Sequence, residues 1–243
     1  MRVTFTLLLL LLTVTSLARA ETRVLVFHSI AGPNAPPNID VDIIPTGGDI
    51  GTNIASDVRY GTGELSPSIR PLSYTFIAYG PPELGLPVAV AEEVVLEENQ
   101  SYTAVAVGVL QDEEPEDATF RPGFLLATNI QNLVPANQAR LRLMHAAATV
   151  PNVDVYINSV LIYENVGYGF VGSYLRADPN VVTKVDLRLA GASRKEIPYV
   201  SRHIFMPPAA RWTLLVSGIA RSFENPITLV ISVEQEGNEV LSS

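Results

Sequence analysis

The sequence predicts an all-β chain, organised as two tandem immunoglobulin-like β-sandwich domains after an N-terminal signal peptide. Three observations carry this. Val153, Val155 and Ile157 alternate with Asp154, Tyr156 and Asn158, and Val185, Leu187 and Leu189 alternate with Lys184, Asp186 and Arg188. That period of two gives strands with one buried face. No stretch beyond residue 20 keeps a helical period for three turns. The chain also repeats itself, with one set of landmarks recurring in the same order.

Residues 1–20 read as a cleaved signal. Arg2 supplies the positive n-region, Leu7 to Leu12 the apolar h-region, and Ala18-Arg19-Ala20 the small-x-small site, so cleavage falls after Ala20. The apolar stretch is too short for a spanning helix, which needs about 20 residues. An exported chain is expected, periplasmic or secreted, with no transmembrane anchor. The 243 residues hold 16 basic and 25 acidic side chains, a net charge of −9. Loss of Arg2 and Arg19 takes it to −11. Such a balance excludes nucleic acid as a partner, because phosphate binding draws on clustered Lys and Arg. The absence of cysteine excludes disulfides, thiol nucleophiles and thiolate zinc sites. An exported chain without disulfides points to a bacterial source and to stability from packing alone.

The first repeat, residues 21–134, opens with Arg23-Val24-Leu25-Val26-Phe27-His28-Ser29, followed by Asn38-Ile39-Asp40-Val41-Asp42-Ile43. The second, residues 135–243, opens with Arg140-Leu141-Arg142-Leu143-Met144-His145-Ala146, followed by Asn152-Val153-Asp154-Val155-Tyr156-Ile157. Gly61 and Gly63 follow Tyr60, and Gly167 and Gly169 flank Tyr168. An aromatic-led strand ends each unit's later part, from Tyr102 to Gly108 and from Trp212 to Gly218. Further runs rich in Val, Ile, Thr and aromatics lie at 87–97, 100–109, 120–127, 196–206, 211–218 and 226–234. Pro and Gly breaks at 36–37, 47–51, 80–82 and 207–208 separate the strands. About seven strands per unit are expected, as in an immunoglobulin-type sandwich, around two separate cores.

Arg140-Leu-Arg-Leu-Met-His-Ala, then Val153-Asp-Val-Tyr156, resembles the opening of the domain of unknown function 4397 family. Gly167-Tyr-Gly-Phe-Val-Gly-Ser-Tyr-Leu175 resembles its middle segment. The resemblance covers the second unit closely and the first more loosely. It implies exported bacterial proteins with tandem β-sandwich repeats and no established activity. Ala147-Ala148-Thr149 stands where the family has Ser-Pro-Asp, and Asp42 where it has the aromatic found at Tyr156.

The chemistry offers few handles. His28 with Asp40, and His145 with Asp154, read either as general-base pairs or as structural groups. Strand parity favours the structural reading, since His28 and His145 share the inward face while Asp40 and Asp154 point away from it. His203 stands alone on a strand edge, and three histidines so spread do not predict a metal site. Asp112, Glu113, Glu114, Glu116 and Asp117 form the sharpest charge run, able to hold calcium or simply to keep a hairpin tip solvated. No nucleophile elbow, Ser-x-x-Lys or His-Glu-x-x-His occurs. The Gly-x-Gly turns lack a following helix and read as positive-φ corners. Trp212 and Tyr102 recur at matched positions and read as core; a sugar platform would sit on loops such as those of Tyr60 or Tyr79.

These observations predict an exported, non-catalytic binding or structural module of the bacterial envelope or extracellular space, without a cofactor. Its partner would be an envelope protein or a glycan. A carbohydrate-binding or adhesion protein is the alternative. A carboxylate-dependent hydrolase ranks third, and requires a cleft between the sandwiches lined by acidic residues from both.

Overall fold

The computed structural model describes residues 22–32, 34–81, 86–110, 120–129, 134–193, 198–218 and 227–234. The signal segment 1–20 and the acidic residues Asp112, Glu113, Glu114, Glu116 and Asp117 lie outside them. The first unit holds β1 (Arg23–Ala31), β2 (Asn38–Pro45), β3 (Thr52–Arg59), β4 (Gly63–Leu65), β5 (Ser73–Tyr79), β6 (Pro87–Val95), β7 (Ser101–Val109) and β8 (Gly123–Thr128). The second holds β9 (Ala139–His145), β10 (Val153–Ile157), β11 (Val160–Val166), β12 (Leu175–Ala177), β13 (Val182–Leu189), β14 (Val200–Phe205), β15 (Arg211–Ser217) and β16 (Thr228–Glu234).

Each unit is a sandwich of two four-stranded sheets, so it has eight strands where about seven were expected. The orders are β4-β1-β7-β8 and β3-β2-β5-β6 in the first unit, and β12-β9-β15-β16 and β11-β10-β13-β14 in the second. Within this architecture the first strand pairs with the fourth and the seventh, while the second strand lies in the opposite sheet. β1 runs parallel to β7, with Phe27 opposite Val105. β9 runs parallel to β15 in the same way, with Leu141 opposite Trp212.

The inward faces bury one core per sandwich. Val24, Val26, Ile39, Val41, Phe76 and Ala104 build the first. Leu141, Leu143, Val155, Leu187, Leu214 and Val216 build the second. β2 and β5 alternate between fully buried and half-buried positions, as strands with one wet face do. β1, β7, β9 and β15 are instead buried at almost every position of both parities.

Their second face is covered by the other unit. Leu25, Phe27, Val105 and Val107 of the first unit join Met144, Ala146 and Leu215 of the second in a third apolar cluster. Between the two expected cores lies a third apolar layer that the sequence did not announce: the central sheets pack back to back, and the chain is four layers deep. Phe27 fixes part of this seam through Gly63 on β4. A Cβ at residue 63 would lie 2.5 Å from the Phe27 ring.

Polar groups close the seam at both ends. At one, buried Arg142 donates from Nε to Thr213 Oγ1 (2.9 Å) and from Nη2 to Thr103 Oγ1 (2.8 Å). Its Nη1 donates to the Thr128 carbonyl at 3.1 Å and its Nη2 also reaches Asn129 Oδ1. The guanidinium lies 4.6 Å from the centre of the Tyr174 ring. At the other end, Ser29 Oγ and Ser217 Oγ are 2.7 Å apart, and Ser217 Oγ donates to Tyr60 Oη at 3.1 Å. Among the described residues, no helix is long and apolar enough to cross a membrane.

Candidate functional site

The repeated His and Asp do not meet as catalytic pairs. His28 is fully buried, its Nε2 2.8 Å from the Pro36 carbonyl and its Nδ1 accepting from the Ile30 N–H at 3.2 Å. These two bonds fix a neutral ring with the proton on Nε2. Burial lowers its pKa to about 4, against a smaller upward pull from the Pro36 carbonyl. His145 is equally buried, and among the described residues neither ring nitrogen has a hydrogen-bond partner. Burial lowers its pKa to about 4 as well, its own backbone pulling the other way.

Asp40 and Asp154 are occupied elsewhere. Each sits where its strand meets a β-bulge in the neighbouring strand, and the bulged residues Asp57 and Asn165 both have φ of 53°. Asp40 Oδ1 accepts from the Asp57 N–H at 2.8 Å, while Asn38 Nδ2 donates to Asp57 Oδ1. The second unit repeats this clasp. Asp154 Oδ1 accepts from the Asn165 N–H at 2.8 Å and Asn152 Nδ2 donates to Asn165 Oδ1 at 3.0 Å. Asp154 Oδ2 adds a bond from the Gly191 N–H at 3.0 Å. The recurring Asn-x-Asp thus holds a bulge in place. On the outer face of β13, burial pushes the Asp186 carboxyl up, but the Ser201 hydroxyl, Lys184 and Arg188 more than offset this and hold it below the usual carboxylate range.

The repeated Tyr-Gly turns build the junction. Gly61 N–H donates to the His28 carbonyl and Gly169 N–H to the His145 carbonyl, both at 2.9 Å. Their φ values of +73° and +85° suit glycine. Each turn places its tyrosine at the seam. Tyr168 meets Phe120 of the first unit with ring centres 5.6 Å apart. Tyr60 crosses the other way, its ring edge-on to His28 at 5.6 Å and its oxygen bonded by Ser217 of the second unit.

Beside Tyr60 an open groove of about 510 Å³ runs between the units. Tyr60 and Gly61 line it from the first unit, and Arg202 and His203 on β14 from the second. Thr228, Leu229 and Val230 of β16 complete the lining, the Leu229 side chain itself lying in the second core. Both β14 and β16 are edge strands. Arg202 pairs in register with the core residue Val185 but reaches solvent at this edge. The shared cleft that a hydrolase requires is present, yet no described lining residue is acidic. Among the described residues, no three His, Asp or Glu side chains are grouped to hold a metal ion.

Of the residues singled out in the sequence, His203 and Tyr60 line this groove, while His28, Asp40 and Asp154 are hydrogen-bonded within their own units and His145 is buried. Arg142, Arg202 and Ser217 were not singled out. Arg142 could have been, since it stands where the first repeat has Leu25.

The family model described as domain of unknown function (DUF4397) matches residues 22–156 and 139–239. No curated protein matches the chain. A solved structure from Bacteroides ovatus, provisionally described as a cell adhesion protein, aligns over 90% of this chain and 98% of its own. Its identity is 10% and its TM-score 0.21, a likeness that carries no argument about fold or function.

Proposed function

Since the chain belongs to the domain of unknown function 4397 family, its function rests on its own geometry, and we propose that it is an exported, non-catalytic binding module. The ligand site is the groove between the two sandwiches, and the ligand a glycan or protein of the cell envelope. The groove itself carries this reading: two packed repeats share a concave surface lined by Tyr60, Arg202, His203 and Thr228, polar groups of the kind that orient a ligand. Its absence of paired carboxylates among the described residues favours binding over hydrolysis. The hydrogen bonds that occupy His28, Asp40 and Asp154 favour it too. Export rests on the Leu7–Leu12 run and the Ala18-Arg19-Ala20 site.

The test is a glycan array probed with the chain from Glu21 onward, beside a Tyr60→Ala/Arg202→Ala double variant. The reading predicts retention of a defined set of glycans, loss of that set in the variant, and no release of reducing ends on incubation. Release of reducing ends would contradict it, as would equal retention by both proteins.

A further inference from the structure

The groove has donors from both units. Ser217 gives its proton to Tyr60 Oη, so in its contact with Ser29 Oγ it must accept. The chain of hydroxyls therefore runs Ser29 to Ser217 to Tyr60, and leaves the Tyr60 proton for a group in the groove. That tyrosine stays protonated at neutral pH, because burial raises its pKa and only partly yields to the Ser217 bond. The same groove is lined by Arg202, a cation with five N–H donors. Among the described residues no carboxylate pairs with it. His203 and the Thr228 hydroxyl add donors to the lining.

The other repeat is a contrast built into the same molecule. Leu96 and Met206 are buried counterparts, each six residues before its unit's aromatic, Tyr102 or Trp212. Counting back through the ladders, Arg202 opposite Val185 corresponds to Ala91 opposite Phe76, and His203 to the bulged pair Glu92–Glu93. Thr228 corresponds likewise to Gly123, since each faces the matching position on β15 or β7. At the counterpart of Tyr60, Phe120 lies against Tyr168. At the matching corner the guanidinium is therefore absent, carboxylates stand in the adjoining bulge and the Thr228 hydroxyl is lost. In a chain of net charge −9, a guanidinium with no ion-pair partner among the described residues, lining the same groove as a phenol donor, marks a local place for negative charge.

We propose that the groove between the sandwiches binds an oxyanion-bearing saccharide, whose carboxylate or sulfate bonds Arg202 and the Tyr60 hydroxyl while its ring lies along β16 beside Val230. Arg is suited to this because its planar fork matches a planar carboxylate or a sulfate edge with two parallel bonds. The proposal rests on the reading of the groove as the ligand site, and names the class of ligand it takes.

Titration calorimetry of the chain from Glu21 onward, with four probes, tests it. The probes are a glucuronate-containing disaccharide, a sulfated disaccharide, neutral cellobiose and inorganic phosphate. At least one acidic disaccharide should bind with Kd below about 1 mM. Arg202→Ala should weaken that binding at least about tenfold, and Tyr60→Phe severalfold, since a charge-assisted bond outweighs a neutral one. Unchanged melting temperatures would show that both variants fold. The two acidic arms separate carboxylate from sulfate, and phosphate tests whether the anion alone suffices. Stronger binding of cellobiose, lost in Arg202→Ala, would overturn the anionic ligand and leave the groove as ligand site. Acidic binding indifferent to both variants would overturn the placement, and absence of binding by every probe would overturn the proposal. Concentration-dependent dimers abolished by Arg202→Ala would also overturn it, in favour of a second copy presenting its Glu92–Glu93 edge.

Discussion

Arg142, in the second sandwich, donates from Nη2 to the Thr103 hydroxyl of the first at 2.8 Å, and both side chains are buried. The same guanidinium holds Thr213 of its own unit and the Thr128 carbonyl of the other. It therefore stitches three strands from two repeats at one end of the seam.

Replacing Arg142 with Ala strands several buried acceptors and hydroxyls, each costing about 1–3 kcal/mol when left unpaired. The total loss should be about 2–5 kcal/mol, because breaking a network is not additive. Arg142→Lys should recover little of it, as an ammonium cannot reproduce the fork. Urea unfolding measures both; a loss below about 1 kcal/mol for the Ala variant would show the contact to be incidental.

The bulge clasps rank themselves. Asp154 holds two backbone N–H groups, those of Asn165 and Gly191, while Asp40 holds that of Asp57 from a more exposed position. Asp154→Ala should cost about 2–3 kcal/mol and Asp40→Ala about half that. Equal costs, read from the same denaturation curves, would contradict the assignment.

The seam also dictates Gly63. Gly63→Ala pushes a methyl group onto the Phe27 ring and should destabilise by about 1–3 kcal/mol through overpacking. Phe27→Leu makes room, so the double variant should lose less than the two single losses added together. Strict additivity in that cycle would mean the two positions do not touch.

Acid should weaken the fold through the histidines. Both have folded pKa values of about 4 against an ordinary value of 6.5. The unfolded chain therefore takes up their protons first. Their contribution is complete above about pH 6.5 and is lost as pH falls toward 4, by up to about 3 kcal/mol for each. His145→Gln should flatten that slope by about half. The two histidines differ at neutral pH. His28→Leu leaves the Pro36 carbonyl and the Ile30 N–H without their partner, and should cost about 1–3 kcal/mol. His145→Leu breaks no hydrogen bond to a described residue and should be near neutral. Melting temperatures at pH 5 and 8 distinguish these outcomes.

The strands and their duplication were legible because Val153-Asp-Val-Tyr-Ile and Val185-Asp-Leu-Arg-Leu alternate in a way only a half-buried strand requires. The seam was written less openly. Leu25 and Phe27 fall between Val24, Val26 and His28, so β1 reads as a continuous apolar run instead of an alternating one. Such a run signals a strand buried on both faces. It does not say what covers the second face, and the partner strand β15 lies nearly two hundred residues away in the chain. The roles of Asp40 and Asp154 depend on bulges at Asp57 and Asn165, whose positive φ no local turn signal announces. The groove is more remote still. Tyr60 and Arg202 line one groove only because two repeats pack.

Because the groove exists only while the two sandwiches share the central seam, the cooperativity of unfolding tests the account most directly. Scanning calorimetry of the chain from Glu21 onward should show one transition, with calorimetric and van't Hoff enthalpies equal for the whole chain. Arg142→Ala should lower that transition and split it or depress the enthalpy ratio. Two transitions in the unaltered protein, each with the enthalpy of about a hundred residues, would mean that the sandwiches unfold independently and that no fixed groove lies between them.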